Sequence, residues 1–416
     1  METLETVIVG GGQAGIAMSA HLRNHGIGHV VLERDRIAER WRSARWDSLV
    51  ANGPAWHDRF PGLEFDGDPE AFAPKERVAD YFERYARMVD APIRCGLEVT
   101  SVTRNEGRAG FAVETTAGTI EAQSIVAATG PFQTPVIPDL AGESSGINQL
   151  HSSTYRNPQQ LPDGAVLVVG AGSSGGQIAE DLLRAGRQVY LAVGPHFRPP
   201  RRYRGRDLVW WLGVLGKWDA QTPQEGAEHL TIAQSGAYGG KTLDYRLLAE
   251  QGLVLVGRLN EVRGGVAAFA NDLAETMARA DQQYLSMLDE ADAHVARMGL
   301  DLPEEPEART LRPDPPCVTK PIDSLDLAAA GVTTILWATG FRNDYSWLKV
   351  DTFHPDGRPR HHRGVSEEPG VYFLGLPWLS RLGSPFIWGV WHDARFIADQ
   401  IAIQRDYMQY HRDAPL

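Results

Sequence analysis

The hydrophobic positions of the first 33 residues change their period twice. Val7–Val9 forms a continuous apolar run of the kind found in buried strands, and the residues after the following turn show the helical period up to Gly26. A second apolar run, HVVLE, then ends at Glu33. A strand, a glycine-rich turn, a helix and a second strand in this order predict a βαβ unit with parallel strands.

The same pattern returns 160 positions later: an apolar run at Val166–Val169, a glycine-rich turn, a helical period that ends at Gly186, and the strand-like segment QVYLAV. Both turns read G-x-G-x-x-G, in which the glycines allow the tight turn, the approach of backbone to a pyrophosphate and the packing of helix on strand. A purely structural role is the alternative, but two complete copies favour dinucleotide binding. The predicted binding residues are Gly10, Gly12, Gln13, Ala14 and Gly15 in the first turn, and Gly170, Gly172, Ser173, Ser174 and Gly175 in the second.

The two units differ at the end of their second strand. Glu33 stands 18 positions after Gly15, where a carboxylate binds ribose hydroxyls, whereas the second unit has Val193 there, or Ala192 if the strand shifts by one. Arginines near a missing carboxylate suit the 2′-phosphate of NADPH, and three follow: Arg198, Arg201 and Arg202. A solvated basic loop is the alternative. The pattern predicts FAD in the first unit, NADPH in the second and hydride transfer between them.

Two apolar strands that stop at Thr-Gly mark the crossings between domains. IVAATG ends at Thr129 and Gly130, and ILWATG ends at Thr339 and Gly340, where glycine allows close approach of the backbone to a cofactor. The predicted fold is α/β with two Rossmann-like dinucleotide-binding domains. Residues 1–155 with 341–416 form the predicted FAD-binding domain, and residues 156–340 form the inserted NADPH-binding domain.

Residues 269–298 show apolar positions at helical spacing inside the second domain. We predict one amphipathic helix in an insert at about 266–300. Core packing or the contact face of a homodimer is the simpler role for its apolar stripe, and the wall of a substrate cavity is the alternative. The stripe consists of Leu273, Met277, Tyr284, Met287, Leu288, Ala291, Val295 and Met298.

Composition removes several classes of function. The chain has 416 residues, 43% of them hydrophobic, and a net charge of −12, which argues against a broad surface for nucleic acid or anionic membranes. Its two cysteines, Cys95 and Cys317, form no C-x-x-C pair, which excludes a disulfide framework, a cysteine-rich zinc site and a dithiol relay; we expect no metal. No apolar run approaches about 18 residues and no basic segment precedes the first strand, so we predict a cytoplasmic protein without a membrane span.

The combined motifs resemble the flavin-containing monooxygenases, group B flavoproteins that include plant enzymes acting on indole pyruvate. The similarity covers nearly the whole chain apart from residues 265–320, and in HSSTYRNP the residues His151 and Tyr155 match the family fingerprint. Upstream of it, the family's phenylalanine and glycine give way to ESSGIN, which leaves the subfamily open. Baeyer–Villiger relatives carry tryptophan where Tyr155 stands, so the resemblance favours the branch that oxygenates heteroatoms. His151 is interpreted as a hinge residue rather than as a catalyst.

The resemblance also implies residues beside the flavin ring. WDSLVANGPAW is similar to the family's Ser-Leu-x-x-Asn segment, which gives Asn52 the catalytic position; its amide can donate a hydrogen bond without titrating. The alternative is the exposed corner of an Asn-Gly turn. The other matches are Trp41 and Trp46 as flavin-contacting aromatics, Arg34 and Arg40 near the pyrophosphate or ribose, and Ser384, Pro385 and Phe386 at the start of a helix that points at the flavin.

The activity that the resemblance implies is that of a FAD- and NADPH-dependent monooxygenase. NADPH reduces FAD, the reduced flavin forms a C4a-hydroperoxide with O₂, and a nitrogen or sulfur atom of a small organic substrate takes the distal oxygen. Carbonyl oxygen insertion or oxidative decarboxylation of a 2-oxo acid is the alternative within this class. A flavin reductase or diaphorase with an external electron acceptor is the alternative from another class, and a non-catalytic sensor that binds FAD and NADPH is a third.

Overall fold

The computed structural model describes residues 2–140, 146–221 and 231–410. The first part of ESSGIN and the outermost residues of the predicted FAD-binding domain lie outside these ranges.

The strands follow in chain order. They are β1 (Glu2–Val9), β2 (His29–Glu33), β3 (Ile93–Cys95), β4 (Val99–Arg104), β5 (Phe111–Thr115), β6 (Gly118–Ala127), β7 (Thr134–Pro135), β8 (Asn148–His151), β9 (Ala165–Val169), β10 (Val189–Ala192), β11 (His196–Phe197), β12 (Arg202–Tyr203), β13 (Arg206–Asp207), β14 (Thr231–Ile232), β15 (Val254–Val256), β16 (Leu259–Arg263), β17 (Val266–Phe269), β18 (Ser324–Asp326), β19 (Val332–Trp337), β20 (Phe341–Arg342), β21 (His361–His362), β22 (Val365–Ser366) and β23 (Val371–Phe373).

The helices connect these strands. They are α1 (Gln13–Asn24), α2 (Glu39–Ser43), α3 (Lys75–Met88), α4 (Ser173–Arg184), α5 (Leu208–Val214), α6 (Ala237–Gly240), α7 (Tyr245–Glu250), α8 (Leu273–Met298), α9 (Pro316–Thr319) and α10 (Ile387–Gln409), with 3₁₀ turns at Pro158–Gln160, Lys217–Asp219 and Pro306–Arg309.

The first sheet is built around the first predicted βαβ unit. β1 pairs in parallel with β2 on one side and with β6 on the other. Among the described residues this sheet has nine strands, in the order β21, β22, β23, β6, β1, β2, β3, with β5 joining β4 to β6. The parallel pairing of β1, β2 and β6 brings their carboxyl ends to one edge, the edge at which an open α/β sheet binds its ligand.

The second sheet is built around the second predicted unit. Within the described part of the chain it has five strands, in the order β15, β10, β9, β19, β8, and their pairings are parallel. The parallel strands at the centre of the first sheet and the parallel second sheet, with helices packed on them, confirm the predicted α/β fold with two Rossmann-like units.

The chain leaves the first sheet and later returns to it. β8 pairs with β19 in the second sheet, although it precedes the predicted boundary between residues 155 and 156. After β19 the chain comes back, β23 pairs in parallel with β6, and α10 packs on α1. The exact limits of the two domains remain a prediction.

The helix predicted at 269–298 is α8. Its apolar stripe is buried apart from Met298, which is 59% exposed. Leu273 and Met277 pack into the core of the second sheet, and the buried residues from Tyr284 onward pack against the aromatic residues Tyr203, Trp211 and Trp218. The stripe therefore serves as core packing, and its buried residues are not available as a dimer face.

Candidate functional site

The first glycine-rich turn connects β1 to α1 and leaves no room for side chains on its closed side. Gly10 has φ +114°, and a Cβ there would lie 2.6 Å from the carbonyl oxygen of Ala128. A Cβ on Gly15 would overlap the carbonyl oxygen of Gly10, because α1 packs directly against the turn. Gly12, the N-cap of α1, instead faces open space. A closed turn in front of an open helix N-terminus is the geometry that cradles a pyrophosphate.

Glu33 ends β2 beside this turn. Its Oε2 accepts a hydrogen bond from Gly11 N over 2.6 Å, and its Oε1 accepts one from Asp35 N over 2.9 Å. Each carboxylate oxygen keeps a further lone pair for a ribose hydroxyl. The two backbone bonds thus hold the carboxylate in one orientation without using up its capacity to bind a ligand.

A cavity of about 570 Å³ opens in front of the turn. Its wall combines the ends of β1 and β2, the first Thr-Gly segment and the residues before α10. The predicted site residues that line it are Gly10, Gly12, Gln13, Ala14, Glu33, Arg34, Arg40, Trp41, Thr129, Gly130 and Pro385. The fold thus gathers residues from distant parts of the sequence around one space large enough for a dinucleotide segment. Their roles in binding remain predictions.

The residues before α10 close one side of the cavity. The carbonyl oxygen of Pro385 accepts a hydrogen bond from Gln13 Nε2 over 2.8 Å, which joins the C-terminal segment to α1. α10 begins at Ile387, two residues after Pro385, with Phe386 as its N-cap. The positive end of the α10 dipole therefore lies beside the cavity.

Ser384, Phe386 and Trp46 are among the predicted residues that do not line the cavity. Ser384 is fully buried and accepts hydrogen bonds from backbone N–H groups of the loop before it. Phe386 packs edge-on against Trp218, with ring centroids 5.2 Å apart. Trp46 is 5% exposed and belongs to the core of the second sheet together with Tyr155. Ser384 and Phe386 thus support the start of α10, and Trp46 packs into the core of the second sheet instead of lining the cavity.

The second glycine-rich turn repeats the geometry of the first. Gly170 has φ +108°, and a Cβ there would lie 2.5 Å from the carbonyl oxygen of Ala338. A Cβ on Gly175 would overlap the carbonyl oxygen of Gly170, and Gly172 is the N-cap of α4. The second unit therefore offers a dinucleotide the same backbone cradle.

Ser173 and Ser174 open α4 beside this turn, and both are half-buried. The Oγ of Ser173 donates a hydrogen bond to the carbonyl oxygen of Ile232 over 2.7 Å and accepts one from Gln234 N over 3.3 Å. A later segment of the second domain therefore lies next to the N-terminus of α4.

The second Thr-Gly segment is tied to the crossing between the sheets. His151, the last residue of β8, is joined through its Nε2 to the carbonyl oxygen of Gly340 over 3.0 Å. Thr339 donates a hydrogen bond to the carbonyl oxygen of Val136. Burial lowers the pKa of His151. Its contacts fit the interpretation of His151 as a residue of the hinge.

The three arginines after β10 correct the sequence prediction. Arg198 and Arg201 are buried in ion pairs: Arg198 Nη2 lies 2.9 Å from Asp281, and Arg201 Nη2 lies 2.5 Å from Asp207. Guanidinium groups engaged by buried carboxylates are not free for a 2′-phosphate, and they do not form a solvated loop either. Arg202 alone among the three is exposed.

Asn52 lies against the second domain. Its Oδ1 accepts a hydrogen bond from Gln177 Nε2 over 3.0 Å, and its carbonyl oxygen accepts one from Arg201 Nη1 over 2.6 Å. It is half-buried and does not line the cavity described above. Asn52 is therefore not the exposed corner of a turn, and its side chain meets the helix that begins at the second glycine-rich turn.

Two residues of α4 escaped the sequence analysis. Gln177 bonds Asn52 and also donates to the carbonyl oxygen of Gln234 over 2.6 Å. Asp181 accepts hydrogen bonds from Ser48 Oγ over 2.8 Å and from the Tyr155 hydroxyl over 2.7 Å. Burial and the Asp181 carboxylate raise the pKa of Tyr155. Their i, i+4 spacing puts Gln177 and Asp181 on one face of α4, and this spacing was the available signal.

Comparisons with known proteins agree with this architecture. A flavin-containing monooxygenase from Stenotrophomonas maltophilia has the same fold, with a TM-score of 0.68 and 19% identity over 97% of this chain and 100% of that one. A model of the pyridine nucleotide-disulphide oxidoreductase family matches residues 7–203.

Two relatives are closer in sequence. An uncharacterized CzcO-like oxidoreductase of Geobacillus kaustophilus is 33% identical over 402 residues, which cover 96% of this chain and 98% of that protein. The indole-3-pyruvate monooxygenase YUCCA1 of Oryza sativa subsp. japonica is 32% identical over 273 residues, which cover 62% of this chain and 67% of that protein. The chain belongs to the flavin-containing monooxygenase family.

As a member of this family the chain is an NADPH-dependent flavoprotein oxidoreductase, and its cofactors are FAD and NADPH. The residues present fit both groups. The turn at Gly12 and the Glu33 carboxylate suit the pyrophosphate and ribose of FAD, and the turn at Gly172 suits the pyrophosphate of NADPH. Among the helices of the described ranges, none has the length and apolar character needed to cross a bilayer.

Proposed function

We propose that the chain is a monooxygenase that uses NADPH and O₂ to oxygenate a small organic substrate at nitrogen or sulfur. The contact between Asn52 and Gln177 carries this proposal, because it joins the segment that follows the first dinucleotide unit to the helix of the second. Bound FAD supplies the chemistry, namely acceptance of hydride from NADPH and activation of O₂. A cytoplasmic location and a homodimer remain predictions from the sequence.

Each part of the chain has a proposed task. The Gly12 turn and Glu33 would hold the diphosphate and ribose of FAD, and the N-terminus of α10 would favour negative charge on the flavin. Trp41, which lines the cavity, would contact the ring. Asn52 is the proposed catalytic residue: with its Oδ1 engaged by Gln177, its Nδ2–H groups donate to negative charge that develops during oxygen transfer.

Anaerobic reduction tests the proposal. The purified protein is reduced with NADPH and then mixed rapidly with O₂ while the flavin spectrum is recorded, with and without methyl p-tolyl sulfide or N,N-dimethylaniline. A monooxygenase gives a long-lived spectral species before the oxidised spectrum returns, and oxygenated product in step with NADPH consumption. Direct return of the oxidised spectrum together with hydrogen peroxide, and no product, contradicts the proposal and identifies a reductase.

A second candidate is the oxygenation of a 2-oxo acid with loss of its carboxyl group. The relative from Oryza sativa, which is named an indole-3-pyruvate monooxygenase, favours it. Phenylpyruvate in the same assay separates the two candidates, because only the second predicts release of CO₂ in step with NADPH consumption.

A further inference from the structure

Arg45 lines the FAD cavity and was not singled out by the sequence. Its Cζ lies 4.6 Å from the centroid of the Phe132 ring, which also lines the cavity. Its Nη1 donates a hydrogen bond to the carbonyl oxygen of Ala44 over 2.9 Å. A ring face and a carbonyl oxygen carry only partial negative charge, so this guanidinium is not neutralised by its neighbours.

The charges that act on Arg45 are those of Arg40 and Arg156. The cavity wall also carries carboxylates, namely Glu33, Asp35, Glu39, Glu98 and Asp344. Arg40 lines the same cavity and donates to the carbonyl oxygen of Gln133 over 3.5 Å, and Arg156 donates to the carbonyl oxygens of Ser153 and Tyr155. In the described ranges, no carboxylate forms an ion pair with Arg40, Arg45 or Arg156. Burial, with Arg40 and Arg156 nearby, lowers the pKa of Arg45 to about 10.

Other arginines in comparable surroundings are paired. Arg198, Arg201 and Arg246 are buried, and each lies within 3.0 Å of an aspartate oxygen. Arg42, three positions before Arg45, reaches Asp80 and Glu83. Enclosing a charge without a partner is costly, so a fold that pairs Arg42, Arg198, Arg201 and Arg246 leaves Arg45 open for a reason outside its own packing.

Arg45 lines the cavity at the crossing between the sheets. Phe132, beneath its guanidinium, packs edge-on against Phe341 with centroids 5.3 Å apart, and Phe341 packs against His151 at 4.8 Å. β7 and β20 pair at this crossing. The glycine-rich turn at Gly12 and the N-terminus of α10 are further features of the cavity wall that can bind an anion.

We propose that Arg45, with Arg40 beside it, forms a binding site for an oxyanion, a carboxylate or a phosphate, at the crossing end of the cavity. A planar guanidinium matches two oxygens of such a group and pairs with them at high strength. The oxyanion belongs either to a phosphate of one of the two dinucleotides or to the substrate. The inference rests on the cavity and its cofactors but not on the proposed reaction, which the oxygen-mixing experiment tests separately.

The test compares Arg45→Gln and Arg45→Lys with the matched control Arg363→Gln. Arg363 also lies over a phenylalanine, Phe396, at 3.9 Å, but it is exposed and outside the cavity wall. Three quantities are measured in chloride buffer: the dissociation constant of FAD, that of NADP⁺ from the FAD-loaded protein, and the rise in melting temperature of the FAD-loaded protein with inorganic phosphate.

Arg45→Gln should weaken one of the three interactions about tenfold or more, while Arg45→Lys keeps most of it and the control changes none. Weaker FAD or NADP⁺ binding assigns the oxyanion to that dinucleotide, and loss of the phosphate effect alone assigns it to the substrate. If the oxyanion belongs to NADP⁺ or to the substrate, FAD-loaded Arg45→Gln should melt no lower than the control when no oxyanion is added, because the variant then removes a charge that has no partner. The proposal is overturned if all three interactions are unchanged in Arg45→Gln. It is also overturned if Arg45→Lys weakens the same interaction as strongly as Arg45→Gln and both variants melt lower than the control, because Arg45 would then be structural.

Discussion

The side chain of Gln177 donates a hydrogen bond to Asn52 Oδ1 over 3.0 Å and so links the loop after the first βαβ unit to the first turns of α4. Arg201 donates to the Asn52 carbonyl oxygen from the same side. These two bonds fix both the backbone and the amide of Asn52. Because Oδ1 already accepts from Gln177, the Nδ2–H groups are the part of the Asn52 amide that the proposed function uses as donors.

Asn52→Ala should leave the reduction of FAD by NADPH intact and impair the step that follows the reaction with oxygen. One lost donor in a site without water is worth about 3–4 kcal/mol, or two to three decades in rate. The expected observation is continued NADPH consumption with hydrogen peroxide in place of oxygenated product. A fully coupled Asn52→Ala enzyme would show that the donor lies elsewhere.

The same variant should also lose stability. Asn52 is half-buried, and its removal leaves the Gln177 amide without one acceptor, which costs about 1–3 kcal/mol. An exposed turn residue, as the sequence alone suggested, would change stability by no more than about 0.5 kcal/mol. Denaturant unfolding of the FAD-loaded protein measures the difference. Gln177→Met is the matched control, because it breaks the same bond but keeps the Asn52 donor, so it should lose stability and retain more coupling than Asn52→Ala.

Glu33→Ala should weaken FAD binding by about ten- to a hundredfold or more. The variant removes hydrogen bonds between a carboxylate and ribose hydroxyls, each worth roughly 1.5–3 kcal/mol. Equilibrium titration followed by flavin fluorescence gives the dissociation constant. Glu39→Ala is the control, because Glu39 lines the same cavity but is paired with Arg36 over 2.6 Å. Equal FAD affinity in wild type and Glu33→Ala would remove Glu33 from the site.

The elements that the sequence predicted are those set by local periodicity. Gly10 and Gly170 hold positive φ in turns whose chemistry is written within a few residues, and α8 follows a stripe visible over 30 positions. The partners of Arg198 and Arg201 could not be found in this way. Asp281 lies 83 positions from Arg198, in α8 inside the insert, and nothing in the local pattern around Arg198 indicates the pairing.

In the candidate site, too, the sequence predicted the residues whose positions depend on local sequence and missed those whose positions depend on distant contacts. Glu33 follows its glycine turn directly along a βαβ unit, so its position beside the turn was predictable. Arg45 and Trp46 are neighbours in sequence, yet Arg45 lines the cavity and Trp46 packs into the second core. The path of that segment depends on contacts with α4 and the second sheet, which only the tertiary structure provides.

Arg201→Met should destabilise the protein by about 3–5 kcal/mol, because Asp207 is left buried without its cation. Arg202→Met, at the adjacent exposed position, should stay within about 0.5 kcal/mol of wild type. Urea unfolding of both variants tests this contrast. The ratio of kcat/KM for NADPH to that for NADH should be unchanged in Arg201→Met, since its guanidinium is engaged by Asp207. A selective loss of NADPH use would reinstate the role that the sequence assigned to Arg201.

The pH dependence of stability should carry the signature of His21, which is 8% exposed between α1 and the Trp391 ring of α10. Burial lowers the pKa of His21 to about 4, so the folded protein keeps this imidazole neutral where an unfolded chain, with a pKa near 6.5, protonates it. The unfolded state therefore binds more protons between pH 6.5 and 4. Stability should fall across this window as the pH falls, by about 1.4 kcal/mol per pH unit and about 3 kcal/mol in total from this group. Above pH 7 the imidazole of His21 is neutral in both the folded and the unfolded state, so its contribution to stability is constant.

The variant His21→Gln removes this titration, so the difference in unfolding free energy between pH 7.5 and pH 4.5 should shrink in the variant, whatever its stability at pH 7.5. An equal pH dependence in His21→Gln and wild type would mean that His21 takes up its proton in the folded state as readily as in the unfolded one.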